Sequence, residues 1–124
     1  MALYQNTIDY NSAPTCTIED LTNTWQISPV TLTVEAWDGD WEDRPYLSAE
    51  FQYSLDGVDW VLIGIDNTPV FEPETGYMLS IEWNAENLWD VQVRVRATAN
   101  DGMENSGWEN TGPFSAAFKI RQLK

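Results

Sequence analysis

The chain has 124 residues, 43% of them apolar, one cysteine, no histidine and a net charge of −14. That length suits one domain around one core, and a lone Cys16 excludes an intrachain disulfide. Twenty acids against six bases oppose binding to nucleic-acid phosphates or anionic membrane surfaces, and no apolar run approaches the ~20 residues that span a bilayer.

Helical periodicity is nearly absent, and short alternating runs broken by Gly, Pro, Asn and Asp predict strands. Residues 1–13 are polar and read as an N-terminal extension or an extra edge strand carrying Tyr4, Ile8 and Tyr10. Residues 1–10 lack the basic start and apolar run of a secretory signal. After Pro14, a first strand is predicted over Thr15–Glu19. Val30–Trp37 follows, with Val30, Leu32, Val34 and Ala36 on its inner face. Leu47–Leu55 places Ala49, Phe51, Tyr53 and Leu55 inward, and Asp56-Gly57 signals a tight hairpin into Val58–Asp66. Tyr77–Trp83 turns Tyr77, Leu79, Ile81 and Trp83 to one side. Val91–Ala99 is the clearest strand, with Val91, Val93, Val95, Ala97 and Ala99 inward, and Phe114–Ile120 closes the series. Seven such strands hide their apolar faces best as two packed antiparallel sheets, so residues 14–124 are expected to form one all-β sandwich.

The pieces FQYSLDGVDWVLIG, IEWNAENL and VQVRVRATANDG, within Val30–Asp101, resemble the immunoglobulin-like and fibronectin type III-like modules of microbial surface, secreted and phage structural proteins. In such modules the first piece marks the hairpin between strands C and C′, and the others mark strands E and F. The family often has Tyr at the start of strand F, where this chain has Val91, with Trp89 two residues earlier. The resemblance implies a role in adhesion, spacing or assembly, at a cell surface, outside the cell or on a virion.

The absence of histidine removes the commonest general base and metal ligand, and no Gly-rich phosphate loop occurs. The expectation is therefore a non-catalytic protein. In the expected topology the segment after Trp37 and the segment after Ala99 share one end of the sandwich. Asp38, Asp40, Glu42 and Asp43 would meet Asp101, Glu104 and Glu109 there. Two readings stand for these acids: a solvated loop, or a calcium site with Asp38, Asp40, Glu42, Asp43, Asp101 and Glu104 as oxygen ligands. Trp41 and Trp108 in the same loops either anchor a protein partner, stack on a sugar ring, or fold over the core. Trp60 and Trp83 read as core.

The charge is split. Residues 1–93 hold seventeen acids and one base, and residues 94–124 hold three acids and five bases. Arg94, Arg96, Lys119 and Arg121 lie on the outer faces of the last two strands. They either pair within the chain, as Glu50 with Arg94 or Arg96, or form a basic stripe for a partner or a second copy. The leading expectation is an interaction or assembly module that binds a protein or itself. The alternatives are a carbohydrate-binding module and a calcium-stabilised spacer.

Overall fold

The computed structural model describes residues 13–27, 29–39, 41–73, 76–85 and 89–117, with backbone alone for 41–43, 89–91 and 115–117. Nine strands occur among them: β1 (Thr15–Ile18), β2 (Trp25–Ile27), β3 (Val30–Trp37), β4 (Ser48–Ser54), β5 (Val61–Asp66), β6 (Val70–Glu72), β7 (Gly76–Trp83), β8 (Trp89–Asn100) and β9 (Glu109–Ala117). A short 3-10 helix, Trp41–Tyr46, joins β3 to β4. No helix of the described residues is long and apolar enough to cross a membrane.

The strands form two sheets, ordered β1-β3-β7-β6 and β2-β9-β8-β4-β5. All pairings are antiparallel except β2 with β9, which is parallel. Alternation sets the inner faces. Val30, Leu32, Val34 and Ala36 of β3 and Val93, Val95, Ala97 and Ala99 of β8 line one apolar core that also holds Phe51, Leu79 and Phe114. Trp83 is buried, as its sequence position predicts, and its ring packs 4.9 Å from Tyr53.

The hairpin between β4 and β5 departs from the predicted two-residue turn. Six residues separate the strands, and β5 begins at Val61 rather than Val58. The Ser54 hydroxyl accepts the Asp56 and Gly57 amides, and Asp56 Oδ1 accepts those of Val58 and Asp59. These local bonds compete with the ladder and hold Gly57 at φ 78°, a region that suits glycine. Leu55, expected inward, is pulled out to solvent by this loop. Asp56 titrates below the ordinary aspartate range, because the Asp59 and Val58 amides favour its ionised form.

Two strands exceed the seven predicted. β2 enters through a turn in which Asn23 takes a left-handed conformation and Thr24 N–H donates to the Leu21 carbonyl. That turn docks on a bulge in β9, where Val93 faces Phe114 but Val95 faces Thr111. Leu21 N–H donates to the buried Thr111 hydroxyl, Gly112 N–H donates to Thr22 Oγ1, and Asn23 N–H donates to the Pro113 carbonyl. Pro113 is tolerated inside a strand because the bulge needs no ladder bond from it.

Candidate functional site

The 38–47 connection delivers the chain to Ser48, whose partner across the sheet is Asn100. It therefore shares one end of the sandwich with the 101–108 connection. A Cβ added at Gly102 would lie 4.0 Å from Tyr46 Cβ, so the two loops touch. The acids there do not all project outward. Asp38 and Asp101 are buried, 0% and 2% exposed. Asp101 Oδ1 accepts the amides of Met103 and Glu104, which shapes its own loop, while Glu104 is exposed. Arg44 pins the other loop: its Nε donates to the Asp38 carbonyl at 2.7 Å and its guanidinium lies 3.9 Å from the Trp37 ring. Among the described residues no three carboxylate or cysteine side chains gather as a metal ion requires. Asp40 and the side chains of Trp41, Glu42 and Asp43 lie outside the described residues, as do Lys119 and Arg121.

Trp108 is 40% exposed, and its ring lies 4.0 Å from the Arg96 guanidinium. Trp60 approaches the same guanidinium at 4.3 Å. Arg96 thus ties the end of the β4–β5 hairpin to the 101–108 loop across β8, by two contacts of the cation–aromatic type. Trp60 is a correction to the sequence reading: it is half-buried against Arg96 on the outer face of the five-stranded sheet, outside the core. The expected Glu50 ion pair takes an indirect form. Arg96 Nε donates to Gln52 Oε1 at 2.9 Å, and Gln52 Nε2 donates to Glu50 Oε2 at 2.8 Å. Register explains it, since Gln52 faces Arg96 while Glu50 faces Thr98. Arg94, opposite Ser54, is exposed.

The most unusual surface lies beside this relay. Val58, Val61, Leu62, Ile65, Val70 and Phe71 are all exposed, from 48% at Val61 to 76% at Val58. β5 and β6 each end their sheet, and only residues 67–69 separate them in the chain. Asp66 closes the seam, accepting the Ser80 amide of β7 at 2.8 Å. Both open edges therefore lie on one side of the sandwich. A bulge at Ile63 shapes β5: Phe51 faces Gly64, yet Gln52 faces Leu62. The extra residue turns Ile63 toward the core and puts Leu62 and Ile65 together on the outer face, next to Gln52 and Glu50. The sequence signal for this surface was the unbroken apolar run VLIGI, which strict alternation would have divided between the two faces.

Cys16 is buried on β1. Burial, with the nearby Glu109 charge adding to it, pushes its thiol up to about 11, against opposing hydrogen bonds from Ser106 and Ala99. It is a core residue at neutral pH and no nucleophile.

No family model matches this chain, and no curated protein matches it.

Proposed function

We propose that this chain is a non-catalytic, immunoglobulin-like interaction module that engages a protein through the β5–β6 side of its sandwich. The observation that carries the reading is the group of six exposed apolar side chains, Val58 in the hairpin loop and Val61, Leu62, Ile65, Val70 and Phe71 on two strands that end their sheets. Exposed apolar side chains grouped along one side of a folded domain favour a contact role, and open edges add backbone groups for pairing. The strand order supports the immunoglobulin-like assignment: β1-β3-β7-β6 corresponds to A-B-E-D, and β9-β8-β4-β5 to G-F-C-C′. The lack of histidine and of any phosphate-cradling loop supports a non-catalytic role. A place on a microbial surface, an extracellular filament or a virion suits such a module.

The test is a pair of double substitutions in the chain recovered from cells that make it. Leu62→Lys/Ile65→Lys should release the bound protein and return the chain to monomer size on a sizing column. Thr31→Lys/Thr33→Lys, on the outer face of β3, should leave the complex intact. Equal loss from both variants, or a monomer throughout, contradicts the proposal.

A further inference from the structure

Resting on that reading of the β5–β6 side, we propose that its occupant is an extended segment of a partner protein, apolar on alternate residues and flanked by Lys or Arg, which adds to β5 as a new strand. β5 pairs with β4 along one side and ends its sheet on the other, so half of its amides and carbonyls point away from the sheet. Proteins usually guard such an edge with Lys, Pro or a bulge, and β5 has the Ile63 bulge but neither Lys nor Pro. Its one charge, Asp66, lies at its end and accepts bonds from Thr68 and Ser80. The Ile63 bulge turns Leu62 and Ile65 to the outer face, where alternate side chains of an added strand would lie against them.

Charge selects the occupant. Residues 45–93 contain nine acids and no base. Glu50 faces Ile65 across the sheet, and Asp56, Asp59, Asp66 and Glu72 flank the apolar edge along the chain, while Arg96, one strand further in, is held by Gln52 and two tryptophan rings. A basic-flanked segment would find complementary charge there, and an acidic one would be repelled. The same charges disfavour a second copy. Two β5 strands laid antiparallel would bring the Asp59 end of each to the Asp66 end of the other, and like charges facing across a strand pair oppose pairing. The Trp60–Arg96–Trp108 stack holds the entry to β5 in place and limits the ordering that binding would require.

Three fluorescent peptides of about ten residues, long enough to cover one strand, test this on the full chain by anisotropy. The first two share an alternating valine–threonine centre. The first carries two lysines at each end, the second two glutamates, and the third has the lysine ends with proline in the centre. The lysine peptide should bind at least about tenfold more tightly than the glutamate peptide, with the gap narrowing as salt is added. The proline peptide, equal in charge but unable to pair as a strand, should lose binding. Leu62→Ser/Ile65→Ser should weaken the lysine peptide by about tenfold, and amide exchange should slow at Val61–Ile65 when it binds. Equal binding of the lysine and glutamate peptides, retained binding of the proline peptide, or no binding at all overturns the assignment. So does concentration-dependent self-association that Leu62→Ser/Ile65→Ser abolishes. If the peptides fail while Leu62→Lys/Ile65→Lys still releases the native complex, the contact surface stands and only its occupant is wrong.

Discussion

Arg96→Ala removes three contacts at once: the Trp60 ring, the Trp108 ring and the Gln52 side chain. A cation over an aromatic face at a solvent-accessible site contributes ~0.5–1 kcal/mol, and there are two such contacts. The bond from a charged donor to Gln52, half-buried, contributes about 1 kcal/mol. The expected loss is therefore about 2–3 kcal/mol, a large share of the ~5–15 kcal/mol that stabilises a domain. At this chain length it lowers the melting temperature by roughly 10 °C. Urea unfolding followed by tryptophan fluorescence measures it, with an unchanged denaturant slope as the sign that both end states are intact. Arg96→Lys keeps the charge but neither the flat guanidinium nor the Nε donor, so it should restore less than half of the loss. A double-mutant cycle with Trp108→Leu should give a coupling of about 1 kcal/mol. If Arg96→Ala costs less than ~0.3 kcal/mol, or Arg96→Lys restores full stability, the stack contributes nothing and the reasoning fails.

Cys16 sets a pH dependence. Its thiol is raised from 9.0 to about 11, so between those values the unfolded chain loses a proton that the folded chain keeps. Stability is therefore present below pH 9 and falls as pH rises toward 11, by about 3 kcal/mol, and Cys16→Ala should flatten that fall in urea titrations. The same burial predicts that a thiol reagent modifies Cys16 at the rate of global unfolding at pH 8, and fast labelling of native protein would refute it. Gly76→Ala should destabilise by about 1–3 kcal/mol, because φ is 111° and the added Cβ would sit 3.1 Å from the Ala36 carbonyl oxygen. A neutral effect in thermal unfolding would show that the β6–β7 turn relaxes freely.

The two long alternating runs were readable because each inner face is decided by its own residues. Val30 to Ala36 and Val93 to Ala99 each present small or branched apolar groups every second position. β2 and β6 were not readable, since each has three residues and owes its strand geometry to a neighbour, β9 or β7. The hairpin was misread as a tight turn because Asp56-Gly57 carries that signal, whereas the Ser54 and Asp56 side chains organise a longer loop. The connections after β3 and β8 share one end, with Tyr46 beside Gly102, but Asp38 and Asp101 are buried, and Asp40 and the side chains of Glu42 and Asp43 lie outside the described residues. Nothing local in the sequence joins Trp60, Arg96 and Trp108. Their meeting depends on the register of β4, β8 and β9, a tertiary property. The placement of Leu62 and Ile65 on one outer face was equally hidden, because it depends on a one-residue bulge at Ile63.

Site-directed photo-crosslinking tests most directly whether the β5–β6 side faces a protein partner. A benzophenone-bearing amino acid is placed at Ile65 or, for comparison, at the exposed Thr31 of the opposite sheet, in cells that make the chain. A discrete crosslinked protein from position 65 and none from position 31 is the predicted result. Crosslinks of equal yield at both positions, or from position 31 alone, would contradict it.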